Sequence, residues 1–184
     1  MKKGMTLIEL LVALLLISIV ILAVFGIYNA SSSFFNSSGT KSKVLNDLIY
    51  VLDHIDKNVY LSTGWVNNPA IVVTTPTADS YRIDINQDIN QTPINFSDDQ
   101  GVRYEFNPTA NTIRFADGSG NWKNLTNKLI DPNGLSINYN PTTGVLSIDN
   151  LCLRQDVGQP SDPKTNPDIC ITSQNFSTFM QSLN

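Results

Sequence analysis

The hydrophobic and polar positions divide this chain of 184 residues into three stretches with different periodicities. An apolar run extends from Leu10 to Tyr28 and is interrupted only by Ser18. Its 19 residues would make a helix of about 29 Å at ~1.5 Å per residue. This length matches the roughly 30 Å hydrocarbon core of a bilayer, so the run predicts a single transmembrane helix. Lys2 and Lys3 precede it and predict a cytoplasmic N-terminus.

The second stretch is small and polar from Asn29 to Thr40 and then returns to helical spacing. Serine and glycine lower helix propensity, which predicts a soft point in a longer helix. Apolar residues then recur at intervals of three and four, which predicts an amphipathic helix that packs on an apolar surface. These apolar residues are Val44, Leu45, Leu48, Ile49, Leu52, Ile55 and Val59. We therefore predict one helix from about Thr6 to about Tyr60.

The third stretch, after residue 69, alternates apolar and polar residues, which is typical of strands with one buried face. The alternation covers residues 81–86 and 102–107 and resumes at 112–115. Two similar turns, Pro108–Asn111 and Pro141–Gly144, predict hairpins, because proline presets φ and Asn or Gly tolerates a positive φ. The predicted fold class is α+β, with a long N-terminal helix that has a transmembrane half and an amphipathic half and packs on an antiparallel β-sheet head.

The composition narrows the functions that this surface can serve. The formal net charge is −4 and the pI is near 4.7, which argues against a nucleic-acid surface because such a surface needs a basic patch. Charged residues make up only 15% of the chain, and Asn, Ser and Thr are plentiful. A polar but weakly charged surface suits an extracytoplasmic protein.

An acidic residue, Glu9, stands at the head of the apolar run, and Gly4 ends the basic stub before it. Burying a charge in hydrocarbon is costly, so a carboxylate in this position usually has a partner. A secretory signal peptide fits less well, because its apolar region avoids charge and Tyr28 before Ala30 makes a poor cleavage site. A plain membrane anchor explains the apolar run but not the spacing of Gly4 and Glu9.

The segment GMTLIELLV, from Gly4 to Val12, resembles the prepilin signature of type IV pilins and type II secretion pseudopilins. The resemblance implies that prepilin peptidase cuts after Gly4 and N-methylates Met5. It also implies that Glu9 is the carboxylate used in filament assembly, and that the fold is the pilin fold. Phenylalanine is the commonest residue after the cut, and this chain has the equally apolar Met5.

The resemblance and the periodicities together divide the chain into four parts. They are a prepilin leader peptide (1–4), a transmembrane and filament-core helix (5–28), an amphipathic continuation of that helix (29–62) and an extracytoplasmic β-rich head (63–184). Removal of the leader deletes two lysines and so takes the formal net charge from −4 to −6. The order of elements over about residues 40–150, with DGSGNW between the hairpins, resembles larger minor pilins and pseudopilins of the PilW or J type.

Cys152 and Cys170 are the only cysteines and enclose 17 residues near the C-terminus. No histidine or further cysteine lies near enough in sequence to suggest a zinc site. In an oxidising compartment the pair predicts a disulfide, and two free, buried thiols are the alternative. Type IV pilins often carry a C-terminal disulfide-bounded loop, so the resemblance implies that this loop packs subunits or contacts partners.

Oxygen-bearing side chains stand at every second position from Asp84 to Asn90, and two aspartates follow. An EF-hand loop starting at Asp84 would need glycine and glutamate where the chain has Ile89 and Asn95, so an EF-hand is excluded. A looser calcium site is the one metal candidate, and the alternative is the polar edge of a strand that ends in a turn. The calcium candidates are Asp84, Asn86, Asp88, Asp98 and Asp99. We predict no other cofactor.

The sequence shows no nucleophile elbow, phosphate loop or metal triad, and its one histidine, His54, falls on the predicted helix, so we predict that the protein is not an enzyme. The resemblance implies four partners: other pilins or pseudopilins through the N-terminal helix, prepilin peptidase, an inner-membrane assembly platform and membrane lipid. It implies a single-pass inner-membrane protein with a periplasmic or extracellular head, later incorporated into a pilus or pseudopilus. We predict a minor structural subunit; the major pilin and a tip-located adhesin or substrate-binding pilin are the alternatives.

Overall fold

The structure is a computed structural model that describes residues 7–62, 64, 69–77, 80–87 and 100–178. The chain divides into two compact units, residues 1–39 and residues 40–184. One helix, α1 (Leu7–Tyr60), contributes to both units, which confirms the predicted long helix. It continues through residues 29–40, where the sequence predicted a soft point. The functional boundaries after residues 4, 28 and 62 stay predictions.

The first unit consists of the N-terminal part of α1. Within the described residues, α1 is the one helix long and apolar enough to cross a membrane, and its apolar window is not buried in the protein. Ser18 does not interrupt this apolar surface, because its hydroxyl donates to the carbonyl of Leu14 at 2.8 Å. A surface this apolar requires lipid or other helices to cover it.

The second unit adds two antiparallel sheets to the C-terminal part of α1. The first sheet has the order β1 (Ile71–Thr77), β2 (Ser80–Gln87), β3 (Gln100–Asn107), β4 (Thr112–Ala116) and β5 (Trp122–Thr126). The second sheet contains β6 (Leu129–Ile130), β7 (Ser136–Asn140), β8 (Val145–Arg154) and β9 (Asp168–Ser177). Strand β8 is central, with β6 and β7 along one edge and β9 along the other. The α+β class and the antiparallel pairing are as predicted.

Both predicted hairpins form, between β3 and β4 and between β7 and β8. Asn111 and Gly144 end the two turns with positive φ angles of 57° and 66°. An asparagine also precedes each turn and bonds to its backbone. The side-chain oxygen of Asn107 accepts from the amide of Ala110 at 2.9 Å. The side-chain oxygen of Asn140 accepts from the amide of Thr142 at 2.9 Å.

The core of the second unit lies between α1 and the inward faces of both sheets. The helix contributes Val44, Leu48, Val51, Ile55 and Val59, all at most 1% exposed. The sheets contribute Ile83, Ile85, Tyr104, Phe106, Leu146, Ile148 and Leu151. Two residues predicted on the buried face, Leu45 and Ile49, are 46% and 45% exposed. They lie one position beyond the buried stripe, where a helix has already turned by about 100°.

Glu105 on β3 is buried on the outward face of the first sheet, at 6% exposure. Arg82 on β2 and Arg114 on β4 stand directly opposite it, and their guanidinium nitrogens lie 3.6 Å and 2.7 Å from its carboxylate oxygens. The Trp122 ring in turn covers Arg114 at 4.7 Å. A register slip would leave a buried charge without its partners, so this cluster helps to fix how β2, β3 and β4 pair.

Candidate functional sites

Glu9 lies in the first turn of α1. A negative side chain there interacts favourably with the positive end of the helix dipole, which gives Glu9 a local structural role in addition to its predicted role in assembly. The side chains of Leu7, Ile8 and Leu10 around it are all more than half exposed. Helices packed against this surface would therefore enclose the carboxylate in an apolar environment. Gly4 and Met5 fall outside the described residues, and their predicted roles stay predictions.

Cys152 on β8 and Cys170 on β9 stand opposite each other in the ladder and form a disulfide, with their Cα atoms 4.1 Å apart. The predicted disulfide is therefore confirmed over the alternative of two free thiols. Cys152 is fully buried in the second sheet, so the crosslink joins two strands beside the core. It closes the chain segment that connects β8 to β9.

Polar contacts link parts of the segment between β8 and β9 to one another. At its base, the Arg154 guanidinium donates to both carboxylate oxygens of Asp168, at 2.5 Å and 3.0 Å, and these bonds raise the pKa of Arg154. Inside it, the largely buried side-chain amide of Asn166 donates to the carbonyls of Asp156 at 2.8 Å and Pro160 at 3.3 Å. These bonds pre-order the loop, which would lower the entropic cost of a contact with a partner.

Two of the five calcium candidates, Asp84 and Asn86, lie on β2. The Asp84 carboxylate forms an ion pair with the Arg103 guanidinium on β3, with the nearest nitrogen and oxygen 3.1 Å apart, so a cation there would compete with this pair between neighbouring strands. The other three, Asp88, Asp98 and Asp99, fall outside the described residues. In the part of the chain that the structure describes, no group of three or more acidic, histidine or cysteine residues could hold a metal. The calcium site stays a prediction.

A polar cluster of His54, Asn58 and Tyr104 ties α1 to β3. The Tyr104 hydroxyl donates to the backbone carbonyl of His54 at 2.9 Å and lies 2.7 Å from its ring nitrogen Nδ1. The Asn58 amide donates to the same hydroxyl at 2.6 Å. If the phenol proton goes to the carbonyl, Nδ1 of His54 donates to the hydroxyl, and if it goes to Nδ1, that nitrogen accepts, so the His54 tautomer decides between the two arrangements.

The environment of this cluster favours the neutral form of both of its titratable groups. Burial, and then the positive charge of Lys57, lower the pKa of His54, whose ring also packs against the Phe115 ring with centroids 4.6 Å apart. Burial raises the pKa of Tyr104. The cluster therefore orients the helix on the sheet. Sequence reasoning missed it because its members are far apart in the chain.

Residues 1–25 match a family described as the prokaryotic N-terminal methylation motif. The match supports the type IV pilin and pseudopilin superfamily, a family of structural proteins, and implies processing by prepilin peptidase and assembly with other pilins. The α+β architecture matches the pilin fold. No curated protein and no solved structure matches the chain.

Proposed function

We propose that this protein is a minor structural subunit of a type IV pilus or type II secretion pseudopilus that acts in filament assembly or priming. The observation that carries the proposal is the methylation motif at residues 1–25, which runs directly into the exposed apolar surface of α1. A helix with this surface can be held first by lipid and then by the helices of neighbouring subunits.

The sequence of events begins at the inner membrane. Prepilin peptidase cuts the chain after Gly4 on the cytoplasmic side, which releases residues 1–4. The enzyme then methylates the new N-terminal residue, Met5. The head lies on the extracytoplasmic side, and the Cys152–Cys170 disulfide supports this orientation because such bonds persist in oxidising compartments. The inner-membrane assembly platform then moves the subunit from lipid into the filament, where Glu9 docks it.

The proposed minor role rests on a resemblance in the sequence. The order of elements over about residues 40–150 resembles that of larger minor pilins and pseudopilins of the PilW or J type. The hydrogen-bonded loop between β8 and β9 is compatible with a contact to a partner, because internal bonds lower the ordering cost of binding.

The proportion of this protein in sheared filaments tests the minor role. We expect quantitative mass spectrometry to find it at a small fraction of the most abundant pilin, and we expect its deletion to reduce the number of filaments. The most abundant pilin, quantified in the same fractions, is the control. If this protein were the most abundant pilin in the sheared filaments, it would be the major pilin. Normal filament numbers with lost adhesion or secretion would instead indicate the binding alternative.

A further inference from the structure

The one histidine of the chain, His54, lies where α1 contacts the first sheet. Its ring stands among the rings of Tyr50 on α1, Tyr104 on β3 and Phe115 on β4, with centroids 6.0, 5.7 and 4.6 Å away. Tyr104 and Phe115 stand opposite each other in the β3–β4 ladder. A single titratable ring therefore joins the helix to two neighbouring strands.

The hydrogen bonds around His54 depend on its protonation. The Tyr104 hydroxyl lies 2.7 Å from Nδ1 of His54 and 2.9 Å from its backbone carbonyl. A neutral imidazole can accept from this hydroxyl or donate to it, whereas a protonated imidazole can only donate. The Asn58 amide donates to the same hydroxyl, and the Gln87 amide on β2 donates to Oδ1 of Asn58 at 2.9 Å. Protonation therefore removes one of two arrangements from a network that extends over α1, β2 and β3.

The charged residues of α1 near His54 do not favour a proton on its ring. Lys57 is three residues further along the helix, where side chains lie on the same face, and its positive charge opposes a second one. Asp53 and Asp56 line a pocket together with Phe176 on β9, which places these carboxylates on the side of α1 that faces the second sheet. Within the described residues, no ion pair joins His54 to a carboxylate.

The described part of the first sheet does not supply a carboxylate to this contact either. Burial raises the pKa of Tyr104, so the phenol beside His54 is uncharged at neutral and acidic pH. Lys123 on β5 carries a further positive charge, and its ammonium lies 3.9 Å from the Asp117 carboxylate. The Glu105 carboxylate lies on the outward face of the sheet, where two arginines pair with it. A proton on His54 would thus add a positive charge that these groups do not neutralise.

We propose that His54 makes the attachment of α1 to the first sheet sensitive to pH, so that acidification destabilises the folded head. In the folded head the charged imidazole would lie among aromatic rings and beside Lys57, whereas in the unfolded chain water solvates it. Burial and then Lys57 lower the pKa of His54 from its ordinary value of 6.5. The unfolded chain therefore binds this proton more readily, and the stabilisation that is complete above pH 6.5 is lost as the pH falls below it. This property belongs to the head and does not depend on the filament role.

The first test measures the protonation of His54 by NMR, with ¹³C-labelled histidine in the full-length protein in detergent micelles, without a histidine tag. Because the chain has one histidine, its signal needs no assignment. We expect a lower titration midpoint in the folded protein than in the same protein unfolded in urea. A folded midpoint equal to or higher than the unfolded one would overturn the proposal.

Two lysine variants show whether the local charge acts on His54. Lys57→Gln removes the neighbouring positive charge from an exposed position, and we expect it to raise the folded midpoint. Lys43→Gln makes the same change of charge at an exposed position on α1, about 16 Å from His54 at ~1.5 Å per residue. This distance exceeds the screening length of about 8 Å at physiological salt, so we expect no shift. An equal response of the two variants would overturn the proposed effect of Lys57.

The second test follows urea unfolding of the full chain by tryptophan fluorescence at pH 7.5 and pH 5.0. We expect the unfolding constant of the wild type to rise at least about threefold more on acidification than that of His54→Gln, which is uncharged at both pH values. Carboxylates titrate in both proteins, so the difference isolates His54. Equal rises would overturn the proposal. If His54→Gln fails to fold, Lys57→Gln decides, because the proposal requires a smaller rise in Lys57→Gln than in Lys43→Gln. These readouts are separate from filament abundance, so failure of this proposal and failure of the filament proposal are distinguishable.

Discussion

Glu9→Leu is expected to leave membrane insertion and cleavage after Gly4 intact and to reduce incorporation into filaments by about 100-fold or more. After cleavage, Met5 would carry a positive amine four residues before the Glu9 carboxylate, about one helical turn away. In a filament, the Glu9 carboxylate of an incoming subunit can meet the amine of a subunit that is already docked. Removing one member of a buried charge pair costs about 3–5 kcal/mol, and 3 kcal/mol corresponds to roughly 100-fold in binding.

The expected effect depends on the surroundings of the carboxylate. The apolar side chains beside Glu9 are exposed in the free subunit and would be covered in a filament. Covering them lowers the local dielectric, which strengthens a correct charge pair and makes an unpaired charge costly. The charge pair therefore favours the packing register of neighbouring subunits in which each Glu9 carboxylate reaches an amine. Registers that leave a carboxylate without an amine are disfavoured.

Two variants separate the charge from other effects at this position. Glu9→Gln keeps the size and polarity of the side chain, and we expect it to fail in incorporation as Glu9→Leu does. Val12→Leu changes an exposed apolar residue in the same part of α1, and we expect normal incorporation. The measurement is immunoblotting of sheared filament fractions beside membrane fractions. Glu9→Leu at wild-type levels in the filament fraction would refute the proposed role of the carboxylate.

Removal of the disulfide by Cys152→Ala together with Cys170→Ala is expected to lower the free energy of unfolding of the head by about 3 kcal/mol. The bond closes a loop with a sequence separation of 18 residues, and in the chain-entropy model a loop of this size stabilises the folded state by roughly that amount. Alanine is preferred to serine because Cys152 is fully buried, and a hydroxyl there would lack a hydrogen-bonding partner.

Denaturant unfolding of the full chain in detergent, followed by tryptophan fluorescence, measures this change. Thr172→Ala, an exposed substitution on the same strand β9, is the matched control and is expected to change the midpoint little. Reduction of the wild-type protein should reproduce the effect of the double variant. A double variant as stable as the wild type would show that the crosslink does not restrict the unfolded chain of the head.

The features that sequence could predict are those encoded by neighbouring residues. The apolar run, together with the helical spacing of Val44, Leu48 and Ile55, was enough to indicate α1. The turns at Pro108–Asn111 and Pro141–Gly144 were predictable because proline, asparagine and glycine restrict or permit specific backbone angles locally. The methylation motif was predictable because its glycine, acid and apolar run occupy fixed spacings.

The features that sequence did not predict depend on contacts between distant residues. The alternation of apolar and polar residues along β3 correctly placed Glu105 on the outward face of the first sheet. It could not show that two arginines from neighbouring strands bury this carboxylate. Nothing local to His54 indicated that Tyr104 bonds to it, because 50 residues separate them. The separation of the strands into two sheets that share a core with α1 also depends on contacts between residues that are distant in the chain.

Mass spectrometry of the N-terminus tests the central claim, that this chain is a processed filament subunit, most directly. The protein would be purified from membranes of a host with active prepilin peptidase, with a host that lacks the enzyme as the control. We predict a mature chain that begins with N-methylated Met5 in the first host and an uncut chain in the second. An intact leader, or a new N-terminus near Ala30, in the host with active enzyme would contradict the account.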